Sequence, residues 1–141
     1  MTNQTLAQAY LKKSMDRLDI LDLLHGKGAY SDVVREAQEI VELALKGMLR
    51  AVGVEPPKYH DVGRLLLSHK DRFDKSIAEK LKKAADISKW LRKERELSFY
   101  GDIDFIPTEE YSIEDSRRAR EDAKWVVALA GAAIAQGDSG L

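Results

Sequence analysis

The sequence predicts an all-α fold: an up-and-down bundle of four long amphipathic helices with a short fifth helix laid across it. Three observations point there. Pro56, Pro57 and Pro107 are the only prolines, and all three fall between periodic segments, so the helix breakers sit in the connections. Within those segments apolar residues recur at spacings of three and four, the signature of one helical face. No alternating strand pattern of useful length appears, and no repeat with a period of roughly 30–50 residues is visible.

The first segment runs from about Thr5 to Leu24. Ala7, Leu11, Ser14, Leu18 and Leu21 line one face, while Lys12, Lys13, Asp16, Arg17 and Asp19 cover the rest. It stops at His25-Gly26-Lys27-Gly28, where glycine can take the left-handed conformation that closes a helix. The second segment starts near Ser31 as N-cap and reaches Val52. Val34, Ala37, Val41, Ala44, Leu45 and Met48 form its wide apolar stripe, which marks it as the centre of the core. After Val54-Glu55-Pro56-Pro57-Lys58-Tyr59 comes a short helical piece, His60 to about His69, carrying Val62, Leu65, Leu66 and Leu67. A third long helix is expected from about Lys75 to Leu97, with Ile77, Leu81, Ala84 and Leu91 inward. A long connection, Tyr100 to Tyr111, contains Gly101 and Pro107. The fourth helix opens on Ser112 as N-cap with Asp115 three residues on, close to a capping box, and runs through Ala119, Ala123, Val126, Val127, Ala130 and Ile134. Residues 1–136 are expected to form one domain, and 137–141 a frayed tail.

Composition narrows the function. With 141 residues, 44% hydrophobic and 33% charged, the chain has material for one core and charge to solvate every helix. The 23 basic and 24 acidic residues leave a formal net charge of −1, unlike the strongly basic balance of a nucleic-acid coat, although a local basic patch is compatible with it. The absence of cysteine excludes disulfides, thiolate metal sites and cysteine nucleophiles. The start has no signal-peptide pattern and no run reaches the ~18 apolar residues of a membrane span, so a cytoplasmic protein without membrane association is expected.

Most candidate chemistry dissolves on inspection. His25, His60 and His69 make no i, i+4 pair, and no Glu-x-x-His pair exists, so neither a metal nor another cofactor is expected. There is no Gly-x-Ser-x-Gly elbow and no phosphate-cradling glycine loop before a Lys-Ser or Lys-Thr. Glu39 and Glu42 flank the stripe of the second helix, and most other carboxylates interleave with Lys and Arg as solvated ion-pair partners. One stretch stands out, Lys89-Trp90-Leu91-Arg92-Lys93-Glu94-Arg95-Glu96-Leu97-Ser98-Phe99-Tyr100-Gly101-Asp102. Its arginines suit phosphate, whose oxygens match a planar guanidinium fork. Ser98 and Tyr100 add hydroxyls, and Trp90 and Phe99 offer stacking faces for a base. A charged helix end with a tyrosine over the core is the alternative reading of the same residues.

Arg95-Glu96-Leu97-Ser98-Phe99-Tyr100-Gly101-Asp102, followed by Phe105-Ile106-Pro107 and Tyr111, resembles a prokaryotic branch of the HEPN (higher eukaryotes and prokaryotes nucleotide-binding) domains. The second segment, Glu36 through Leu49, and Tyr59-His60-Asp61-Val62-Gly63 are similar to the same family in the same order, and the likeness extends from about Ala7 to Ile134. The resemblance implies a helical bundle, a homodimer, and in many members pairing with a minimal nucleotidyltransferase as a toxin–antitoxin system. Many members cleave RNA without metal, using an arginine, an adjacent polar residue and a histidine four to six residues on. Some carry a tyrosine two residues after that histidine, which the partner enzyme modifies with adenylate. Here Tyr100 matches that tyrosine, Ser98 stands in the histidine's place, and Arg92 with Lys93 takes the arginine's. With Arg95 as the motif arginine, no histidine follows within six residues. A serine hydroxyl does not titrate near neutrality and cannot supply the imidazole's acid–base chemistry. The expectation is therefore a module that binds nucleotide or RNA through Arg92, Lys93, Arg95 and Tyr100, with His60 contributing from the neighbouring segment. The alternatives are a metal-independent ribonuclease with a non-standard active site drawn from Arg92, Arg95, Ser98 and Tyr100, or a non-catalytic interaction protein.

Overall fold

A computed structural model describes residues 2–58, 61–100 and 111–139; for 94–100 and 137–139 it describes the backbone alone. The chain folds as α1 (Asn3–Gly26), α2 (Tyr30–Ala51), α3 (Val62–Ser68), a 3-10 turn (Lys70–Arg72), α4 (Lys75–Ala78), α5 (Leu81–Tyr100) and α6 (Ile113–Ser139). No strand occurs among the described residues, and none of the described helices is long and apolar enough to cross a membrane.

Each helix begins and ends for a local reason. Thr2 caps α1, its hydroxyl accepting the Thr5 N–H at 3.1 Å. Gly28, at φ 75°, turns the chain, and the Ala29 N–H closes back on the Leu24 carbonyl at 3.0 Å. That tight closure starts α2 at Tyr30 with Ala29 at the cap position, and no side chain caps it. Ser31, expected as the cap, is instead a buried residue inside the first turn. At the other end Gly53, at φ 77°, closes α2, and the Arg72 guanidinium donates to the Val52 carbonyl at 3.0 Å. The capping box of α6 forms as the sequence indicates: the Ser112 N–H donates to Asp115 Oδ2 at 2.9 Å, and the Asp115 N–H donates to Ser112 Oγ at 3.2 Å.

Two further expectations change. The third long helix is not continuous, because a turn at Glu79–Lys80 separates α4 from α5. Asp74 caps the short piece through Ile77 N–H, and Asp74 Oδ2 accepts from Gln136 Nε2 at 2.6 Å, tying α4 to the last turns of α6. α5 packs instead on α2 and α3, so the turn lets Ile77 and Leu81 both bury while their helices follow different neighbours. α6 also stays helical to Ser139, beyond the point where the frayed tail was expected to begin.

α2 is the central helix, packed by α1, α6, α5 and α3. Beyond the expected stripe, Val33, Ile40 and Leu49 are fully buried, so the apolar face is wider than that stripe, while Asp32, Arg35, Glu39, Glu42 and Lys46 keep the opposite face polar. Gly47 makes the closest approach possible: a Cβ there would stand 3.2 Å from the Ala7 carbonyl and 3.3 Å from Ile134 Cδ1. Arg17 reaching Glu36 and Glu39 sets α1 antiparallel to α2. His25 bonding Ser116 and Gln4 bonding the Ile134 carbonyl set α1 antiparallel to α6. Arg118 over Trp90 and Lys83 over Trp125 do the same for α5 and α6.

Candidate phosphate site at the α3–α5 junction

The site depends on how closely α3 approaches α5. Val62 and Leu66 turn the buried phase of α3 inward and leave Arg64 and Ser68 exposed. At Gly63 the two backbones come together: a Cβ there would lie 2.8 Å from Ala85 Cα, which no side chain can accommodate without displacing a helix. The Gly63 of the Tyr59–Gly63 segment therefore has a packing role.

Asp61 performs two tasks at this junction. Its Oδ1 accepts the Arg64 N–H at 3.2 Å, capping α3. The same oxygen lies 3.5 Å from Arg92 Nη1 on α5. The residue adjoining His60 in the chain is thus joined to the arginine that the sequence singles out. Beside it opens a shallow groove of about 330 Å³ lined by Asp61, Arg64, Leu65 and Ser68. Arg64 is exposed, and among the described residues it has no ion-pair partner, so its charge is available to a ligand in the groove. The Ser68 hydroxyl donates to the Leu65 carbonyl at 2.6 Å. Arg92 at the Asp61 carboxylate and Arg64 on the groove beside it bring positive charge to the junction, and bidentate phosphate recognition is within the chemistry of either arginine.

Lys93 is exposed on the next position of α5. The backbone positions of Arg95, Ser98 and Tyr100 continue the same helix, their side chains lying outside the described residues together with the whole of His60. Trp90 is occupied structurally: its Nε1–H donates to Asp122 Oδ2 at 2.9 Å, and the Arg118 guanidinium covers the ring at 4.0 Å. It pins α5 to α6 beside a second groove of about 530 Å³ whose lining includes Lys82, Asp86 and Arg118. Base stacking on Trp90 would have to displace Arg118 from that face. Arg64 escaped the sequence reading because a lone arginine on a seven-residue helix looks like any solvated position. Its only signal was its phase, opposite the buried Val62 and Leu66.

Among the perturbed carboxylates elsewhere, Glu36 and Asp22 are shifted for opposite reasons. Burial pushes the Glu36 carboxyl above its ordinary value, against the pull of Arg17. A hydrogen bond from Arg120 holds Asp22 below the usual carboxylate range, with Lys124 adding to it. Both lie at helix–helix contacts away from the groove.

The family model of the HEPN domain matches residues 7–133, nearly the span of the described bundle. Comparison with curated proteins and with solved structures finds no match.

Proposed function

The chain belongs to the HEPN domain family, and from that premise we propose that it is a homodimeric module that binds nucleotide or RNA phosphate and partners a minimal nucleotidyltransferase in a toxin–antitoxin-type system. Family membership supports a nucleotide- or RNA-related role. The observation that carries the site is the Arg92 guanidinium of α5 facing the Asp61 carboxylate at 3.5 Å, beside a groove that Asp61 and Arg64 line. Arg92, Lys93 and Arg95 hold phosphate in this reading, with Arg64 joining them. Tyr100 stacks, donates a hydrogen bond or accepts adenylate, and His60 contributes from the segment before Asp61. No metal or cofactor enters the reading. Phosphate binding needs charge and donors, not proton transfer, so it is compatible with Ser98 in place of the motif histidine.

Two measurements test it. Titration of the full chain with a short RNA should show binding that weakens by about tenfold in Arg92→Gln, the usual loss for one charge-assisted contact. RNA that is shortened in that titration would favour the ribonuclease reading instead. Co-expression with a nucleotidyltransferase and ATP, followed by intact mass, should show adenylate adducts that Tyr100→Phe abolishes. Absence of both adduct and complex would exclude the pairing.

A further inference from the structure

We propose that Asp61 is a specificity-determining residue that tunes this site toward singly charged phosphodiesters and against doubly charged phosphate monoesters. The inference rests on the phosphate-binding reading of the α3–α5 junction. It concerns which phosphate the junction accepts.

The carboxylate cannot easily leave. Its Oδ1 is held from one side by the Arg64 N–H at 3.2 Å and faced from the other by Arg92 Nη1 at 3.5 Å. Moving it away would uncap α3. A phosphate that reaches Arg92 and Arg64 therefore settles with a fixed negative charge as its neighbour. Arg64 lines the groove beside Asp61 and Arg92 faces the carboxylate, and whatever positive charge the site's cations supply, Asp61 cancels one unit of it. Attraction to that charge rises in proportion to the ligand's charge, whereas the cost of stripping its water rises roughly as the square. Lowering the site charge by one unit moves the optimum away from a dianion and toward a monoanion. A phosphodiester carries one charge at any pH near neutrality; a terminal phosphate carries nearly two above its second pKa of about 6.

The test compares 3′,5′-cyclic AMP, a monoanion, with 5′-AMP, a dianion at pH 8, on the full chain. Base and sugar are then common to both probes. Asp61→Asn removes the charge and keeps a capping side chain, since Asn is as good an N-cap as Asp. One charge seen through solvent at about 6–7 Å is worth about threefold in binding per unit of ligand charge. Asp61→Asn should therefore tighten cyclic AMP by about threefold and AMP by about tenfold at pH 8. At pH 5, where AMP is mostly a monoanion, the two gains should converge. Asp61→Ser, which also retains a capping oxygen, should reproduce the pattern and guards against a fault particular to one variant. An equal gain for both nucleotides, or none, while Arg92→Gln weakens both, overturns the proposal and leaves the phosphate site standing. Binding that is absent, or indifferent to Arg92→Gln, overturns the site itself and this inference with it.

Discussion

At position 63 a single methyl group decides whether α3 can lie where it does. A Cβ there would meet the Ala85 Cα at 2.8 Å and its Cβ at 3.2 Å, and backbone does not yield as a side-chain tip would. Gly63→Ala should cost about 1–3 kcal/mol in chemical denaturation, the range for forced overpacking. It should also weaken phosphate binding, because Asp61 and Arg64 move with α3. Glu36 offers a test of opposite sign. Its Oε1 is buried without a hydrogen-bond partner, and desolvation raises its pKa. The folded state then holds the proton more tightly than the unfolded one, so stability is fully present below the ordinary glutamate value and is lost as pH rises through the raised one. Glu36→Gln should remove that loss. The variant should match the parent near pH 4 and exceed it by about 0.5–1 kcal/mol at pH 8, an amide costing less to bury than a charge. Arg17 keeps Glu39 at 3.6 Å when Glu36 is neutralised. Equal stability of the two proteins at pH 8 would show that Arg17 already offsets the burial.

Among elements, α6 was the most legible and α4 the least. The Ser112–Asp115 box was visible as two residues three apart, and it forms. Ser112→Ala should lower stability by about 1 kcal/mol, measured by thermal unfolding, and blunt the start of α6. The break at Glu79–Lys80 left no trace in the sequence. It contains neither glycine nor proline, and Ile77, Leu81 and Ala84 keep helical spacing across it because both sides face the core. Only the different neighbours of α4 and α5 explain the turn, and neighbours are not written in local periodicity. The site shows the same division. Arg92 and Asp61 each belonged to a stretch with a recognisable pattern, but their pairing depends on the Gly63–Ala85 approach between elements distant in sequence. The contact between α1 and α6 also has a pH signature. Asp22, lowered chiefly by its Arg120 hydrogen bond, contributes stability above the ordinary aspartate value that disappears as pH falls through the folded one, below about pH 4. Its half-exposed position limits Asp22→Asn to a loss of less than about 1 kcal/mol at pH 7.

On the scale of the whole molecule, stability is concentrated in α2. Gly47 sits where α1, α2 and α6 meet, Leu45 and Met48 are fully buried on the same helix, and the expected centre of the core is where the sequence stripe placed it. Leu45→Ala should cost about 2–5 kcal/mol in denaturant unfolding. The same three-helix contact brings the start of α1 beside the last turns of α6, where Gln4 Nε2 donates to the Ile134 carbonyl at 3.2 Å. The order in which the helices are strung is therefore separable from how they pack. Ser139 and Asn3 are near enough for a flexible bridge of roughly six residues, at about 3.3–3.6 Å each, to join them. A new opening can then be cut at the exposed Lys27-Gly28 turn. Such a circular permutant would begin on the central helix and end on what is now the first. It should keep the helical circular dichroism and a single cooperative melt, making the bundle a closed loop that tolerates being reopened elsewhere.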